Sequence, residues 1–172
     1  KLWVRLFDED GSTLASWEEA LSDQGASIVI DSREVRRRFD LGPFTGQLFV
    51  HATKIVGHEV MKYVLDIFDD EYETLSCTHD ANAWPAELYA GLPAPESGEE
   101  VTLWVQNSHP VVIPLNSIGL RSMGEGDLRW IEKCVKPFAT IAVNVGDFFP
   151  NKKWGKQLEL HAGKYLVRPR YE

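Results

Sequence analysis

Cys77, His79, Asp80, Asn82 and Trp84 all fall within the stretch Leu75–Pro85. A thiol, an imidazole, a carboxylate, a carboxamide and an indole stand together there, the most varied chemistry in the chain. A thiol two residues from an imidazole suggests a nucleophile and its base, with Asp80 or Asn82 orienting the ring. On a strand, Cys77 and His79 share a face. No Gly-rich turn opening a helix accompanies them to supply an oxyanion hole, and sequence neighbours seldom reach the geometry of a triad. The plainer role of Ser76, Thr78, Asp80 and Asn82 is to hydrogen-bond their own backbone where a strand gives way to a loop.

The other candidate sets are weaker. The five histidines, His51, His58, His79, His109 and His161, include no pair at a zinc-motif spacing. A metal-dependent enzyme would need His79 and Asp80 joined by His109 or His58. Asp69, Asp70, Glu71 and Glu73 lack the glycine and closing glutamate of a calcium loop, and suit a solvated strand end that discourages edge pairing. Ser117, Ser122 and Asn107-Ser108-His109 have no nucleophile elbow around them. No catalytic residue and no cofactor is therefore expected.

The aromatic residues are more informative. Six Trp and five Tyr are present, and Trp84 and Tyr89 lie in a Pro-rich stretch outside regular strand patterns. Flat rings beside polar side chains suit a sugar ring or a peptide partner. The expected ligand-binding set is His79, Asp80, Asn82, Trp84 and Tyr89, while Trp3 and Trp104 are expected in the core.

The elements that must position these residues read mostly as strands. Leu2–Phe7 alternates and closes at the turn Asp8–Gly11. Ser12–Leu21 fits a strand or a helical turn. Ala26–Asp31 is a compact β-branched run, and Ser32–Asp40, with Val35 and Phe39 four apart, predicts one or two helical turns. Gly46–Thr53, Val60–Phe68, Val101–Gln106 and Phe138–Val145 follow as strands, with 107–120 as an edge or bulged segment. Leu158–His161 and Lys164–Arg168 read as a closing hairpin across Ala162-Gly163. Pro85, Pro93 and Pro95 deny donors to a central strand, so 75–100 is expected to be an irregular polar connection.

Four colinear matches link the two ends of the chain. Leu2-Trp3-Val4 answers Leu103-Trp104-Val105, and Ala26–Asp31 answers Ala139–Asn144. Gly46–Ala52 answers Lys156–Ala162, and Lys62-Tyr63-Val64 answers Lys164-Tyr165-Leu166. The fold class expected is all-β: an antiparallel β-sandwich of two duplicated β units, 1–74 and 101–172, Ig-like only in the generic sense and with little helix. A unit of roughly 70 residues has a marginal core, so the two copies should bury their apolar faces together. Ile28, Ile30, Leu48, Val50, Ile141, Val143, Leu158 and Leu160 are the expected core.

A net charge of −8 over 172 residues argues against nucleic acid or an anionic membrane as partner. Basic runs such as Arg36-Arg37-Arg38 are short, and no apolar run approaches the roughly 20 residues of a membrane helix. Cys77 and Cys134 read as two free thiols. The chain opens at Lys1 directly into a strand-like segment and is expected to be part of a larger protein. Its expected function is a non-catalytic binding or interaction module for a carbohydrate or protein ligand. The alternatives are the metal-dependent enzyme above, or a structural homo-oligomer pairing through the edge Lys164–Val167. Nothing in the sequence names a compartment.

Overall fold

The computed structural model describes residues 1–23, 26–53, 63–68, 75–80, 88–96, 98–124, 126–149, 155–162 and 167–171. In chain order these form β1 (Leu2–Asp8), β2 (Thr13–Glu19), α1 (Ser32–Phe39), β3 (Gly46–Ala52), β4 (Tyr63–Phe68), β5 (Leu75–Asp80) and β6 (Leu88–Pro93). Then come β7 (Thr102–Asn107), β8 (Gly119–Ser122), β9 (Arg129–Trp130), β10 (Thr140–Asn144), α2 (Val145–Phe148), β11 (Gln157–His161) and β12 (Val167–Tyr171). Every strand pair among the described residues is antiparallel. The chain is all-β with little helix.

The first sheet has the order β2-β1-β3. Strand alternation sends Leu2, Val4 and Leu6 to one face and Trp3, Arg5 and Phe7 to the other. The β1–β2 turn is set by Asp8, whose Oδ1 accepts from the backbone N–H groups of Asp10 (3.0 Å) and Ser12 (2.8 Å). Asp31 caps α1 by accepting from Arg33 N–H at 2.7 Å, and the helix ends at left-handed Asp40 (φ 51°). The four-residue spacing of Val35 and Phe39 lays both on Val4, Leu6, Ala15 and Trp17.

A second, larger core is built by two sheets, β10-β7-β12 and β6-β11-β8-β9. Leu103 and Val105 of β7 and Val143 of β10 share one buried cluster with Leu120 of β8 and Leu158 and Leu160 of β11. Strands β4 and β5 form a separate two-stranded hairpin.

The two cores are joined by polar and aromatic contacts. Gln47 of β3, only 5% exposed, donates its amide to the carbonyls of Asn107 (3.2 Å), Ala139 (3.2 Å) and Phe138. Thr140 N–H donates to Glu9 C=O at 3.0 Å, and Phe7 stacks on Phe138 at 4.8 Å. Lys136 pairs with Asp10 at 2.7 Å, a hydrogen bond that holds its ammonium charged above the ordinary 10.5.

Several sequence expectations are corrected. The segment 75–100 is not irregular throughout, since it contributes β5 and β6. Pro93 stands at the end of β6 rather than inside it, and Gly91 (φ 78°) takes the bulge opposite Leu158/Glu159. Ala26–Ile30 joins no ladder; it runs irregularly to the cap of α1, and Ile30 packs on the smaller core. The closing hairpin does not form. Both edges of β11 are taken by β6 and β8, so the chain crosses to pair β12 with β7.

Of the expected core, Val143, Leu158 and Leu160 are buried, but Ile28, Ile30, Val50 and Ile141 are half-buried and edge-strand Leu48 is 42% exposed. Trp3 is 36% exposed because α1 covers the opposite face of its strand, and Trp104 is half-buried. Among the four matched segment pairs, β1 and β7 occupy the same place, the centre of a three-stranded sheet. Ala26–Asp31 and β10 do not correspond, nor do β3, beside β1, and β11, in the sheet without β7. The fourth pair involves Lys62 and 164–166, outside the described residues.

Candidate functional site

The outer face of the first sheet collects aromatic side chains around one cation. Register sets Glu18, Trp3 and His51 in one row and Ser16, Arg5 and Phe49 in the next, across β2, β1 and β3. Phe7 and Gln47 follow. Trp3 and His51 rings lie 6.0 Å apart and are tilted by 35°; His51 and Phe49 lie 5.8 Å apart at 26°. Phe138, reaching across from the other core, closes the far end edge-on to Phe49 at 5.7 Å and stacked on Phe7. Trp3 and His51 form the exposed end, Phe49 is half-buried, and Phe7 is buried.

Arg5 lies within this face. Its guanidinium sits 4.7 Å from the Trp3 ring centroid and 5.6 Å from that of Phe7. Its Nε is buried without a hydrogen-bond partner among the described residues. Trp3 Nε1 donates to Ser16 Oγ at 2.9 Å, which fixes the indole plane, and Lys1 engages Glu18 at 2.9 Å. Such a face can stack a flat ligand and offer it charged donors. The signal lies in the alternation of Trp3, Arg5 and Phe7 and of Phe49 and His51, a pattern that equally fits the core position expected for Trp3.

A second cluster lies on β8 and β11. Glu159, with a side chain 9% exposed, accepts from Arg121 Nε at 2.6 Å and Gly124 N–H at 3.3 Å, and meets His161 Nε2 at 3.2 Å. The Arg121 hydrogen bond, then that of His161, holds the Glu159 carboxyl below its ordinary 4.5 against the opposing effect of burial. Trp130, paired with Gly119, packs over that glycine, where any Cβ would stand 3.0 Å from the indole. A carboxylate-oriented imidazole resembles a base and its orienter, but no hydroxyl or thiol is hydrogen-bonded to His161 among the described residues. The cluster acts as a cross-strand brace.

The residues expected to bind ligand are spread over different sheets. His79 and Asp80 lie on β5, in register with Val64 and Tyr63 of β4. Tyr89 lies on β6, opposite Leu160 of β11. Asn82 and Trp84 fall outside the described residues, as does His58. His109 follows β7, where its N–H donates to Asn107 Oδ1 at 3.0 Å and its carbonyl accepts from Phe138 N–H. Among the described residues no three His, Cys, Asp or Glu side chains gather as a metal would require. Cys134 is an exposed free thiol, and no described helix is long and apolar enough to cross a membrane.

No family model, curated protein or solved structure matches this chain.

Proposed function

We propose that this protein is a non-catalytic binding module whose ligand is a carbohydrate stacked along the outer face of β2-β1-β3. One observation carries the reading: Trp3, His51 and Phe49 follow one another at about 6 Å spacing on a rigid sheet, with tilts of 35° and 26° between successive rings. Sugar rings present flat C–H faces to such rings, and the flanking Ser16, Glu18 and Arg5 supply hydrogen-bond partners for hydroxyls. A glycan array probed with the intact protein and with Trp3→Ala tests this. Binding that disappears in a folded W3A protein supports the reading; binding unchanged by W3A, or no glycan bound at all, removes it.

A second reading has its own observation. The β4–β5 hairpin leaves Val64 (57%), Leu65 (45%) and Phe68 (49%) exposed, and two strands alone are marginal in water. A protein or peptide partner would contact this hairpin, His79 and Asp80 included, with Asn82, Trp84 and Tyr89 as further contacts. Binding sensitive to Leu65→Ser but indifferent to W3A distinguishes it from the first. The two sheets sharing the larger core are read as the layers of a sandwich, and the matching places of β1 and β7 support an internal duplication.

A further inference from the structure

Resting on the reading of the β2-β1-β3 face as a glycan platform, we infer that the glycan it takes is acidic, a chain containing uronic acid whose carboxylate is held by Arg5. The argument starts from the unusual position of Arg5. It is half-buried, its guanidinium lies against the rings of Trp3 and Phe7, and it makes no ion pair or hydrogen bond among the described residues. The nearest carboxylate in register, Glu18, sits opposite Trp3 and is engaged by Lys1. The other cations described near this sheet are likewise committed, Arg38 to Glu19 at 3.1 Å and Lys136 to Asp10 at 2.7 Å.

A guanidinium drawn partly out of water and flanked by π faces has lost hydration that ring contact replaces only in part. Its planar fork matches a carboxylate with two parallel hydrogen bonds. The rings beside it supply the stacking surface that the body of the same sugar needs. Charge number narrows the class further. One cation in a chain of net charge −8 suits a single carboxylate per binding site, whereas a densely sulfated chain requires a run of cations that this face lacks.

The test compares trigalacturonate with its fully methyl-esterified counterpart, which keeps every ring and loses every charge, by titration calorimetry on the intact protein. Trigalacturonate should bind at least about tenfold tighter at low salt, with the gap narrowing as salt is raised. Arg5→Gln should abolish the gap, bringing trigalacturonate down to the affinity of the ester, while Arg5→Lys should restore part of it. Equal binding of the two trisaccharides overturns the acidic preference and leaves the platform standing. Failure of both, together with failure of neutral hexose trisaccharides, overturns the platform as well. Because the wild-type comparison at two salt concentrations is decisive alone, an Arg5 variant that does not fold leaves the inference open to refutation.

Discussion

Asn107 is fully buried, and all of its side-chain chemistry is directed at backbone. Its Nδ2 donates to the carbonyls of Val111 (2.7 Å), Lys136 (2.9 Å) and Val135 (3.2 Å), and its Oδ1 accepts from His109 N–H. Replacing it with Ala takes this partner from the Val111 carbonyl and the His109 N–H, at about 1–3 kcal/mol for each that water cannot reach, while the Val135 and Lys136 carbonyls keep backbone donors in Ile113 and Ala139. Asn107→Ala should therefore lower the urea midpoint by an amount equivalent to about 3 kcal/mol, with the slope of the transition unchanged. An equilibrium urea titration returning a loss below about 1 kcal/mol would show that water or relaxation satisfies the site. Glu159 carries a second expectation. Its carboxyl is held below 4.5 in the folded chain, so its stabilisation is complete above that value and is lost as pH falls toward the lower folded value. Glu159→Gln should flatten this acid limb of the stability–pH curve, read as thermal midpoints between pH 3 and 6; an unchanged limb would remove Glu159 from the account. Neither role was legible in the sequence. In the sequence Asn107 stands out only as a neighbour of His109 in a set without a nucleophile elbow, because the carbonyls that give it meaning belong to residues as distant as Lys136. Arg121 likewise meets Glu159 only through a strand register that no local pattern announces.

At the scale of elements, two glycines separate backbone strain from steric exclusion. Gly91 (φ 78°) occupies the β6 bulge with open space where a Cβ would go; Gly11 (φ 86°) sits in the β1–β2 turn with Pro137 O only 2.0 Å from that position. Gly91→Ala should cost about 1–2 kcal/mol, the conformational penalty alone. Gly11→Ala adds a clash against backbone and should cost clearly more, since the turn must withdraw from the loop carrying Phe138. Thermal or urea unfolding of the two variants side by side checks this, and equal losses would mean that the Gly11 contact yields without cost. The same contrast shows what the sequence disclosed about the fold. Alternation found β1, β3, β7, β10 and β11, and the four-residue spacing of Val35 and Phe39 found α1, because these signals are local. The destination of a strand is not local. Leu158–His161 and Lys164–Arg168 look like a hairpin until β6 and β8 are seen to occupy both edges of β11. Ala26–Asp31 has β composition, but no strand among the described residues pairs with it. The proposed site was equally hidden, because alternation identified two faces of β1 without saying which would receive α1.

At the scale of the whole molecule, the smaller core cannot stand alone. Its buried apolar set is Val4, Leu6, Ala15, Trp17 and Val35, far less than the larger core assembles from β7, β8, β10, β11 and the segments between them. Below roughly 70 residues a domain rarely gains more than about 3–5 kcal/mol from its core. The first sheet therefore depends on its joint with the other core. Among the described residues that joint is not the broad apolar interface expected from duplicated halves; it comprises Gln47, the Glu9–Thr140 backbone bond, the Asp10–Lys136 pair and Phe138 against Phe7 and Phe49. Phe138 holds φ at 58°, an uncommon value for a residue with a bulky side chain, and the Gln47 amide bonds its carbonyl directly. A fragment covering 1–53 should consequently show no cooperative unfolding. The whole chain should unfold in one transition observed alike by far-ultraviolet dichroism and by the fluorescence of Trp3 and Trp17 in the first sheet, read in a variant whose other four tryptophans are replaced by Phe. Gln47→Ala should shift that single transition downward by about 2 kcal/mol by removing the amide donor from the Asn107, Phe138 and Ala139 carbonyls, of which Ala139 keeps a backbone donor in Asn107 N–H. If weakening the joint instead splits the curve, with the fluorescence change following the dichroism change, the first sheet holds stability of its own. The outer face would then be a self-sufficient platform rather than one whose rings are aligned by contact with Phe138.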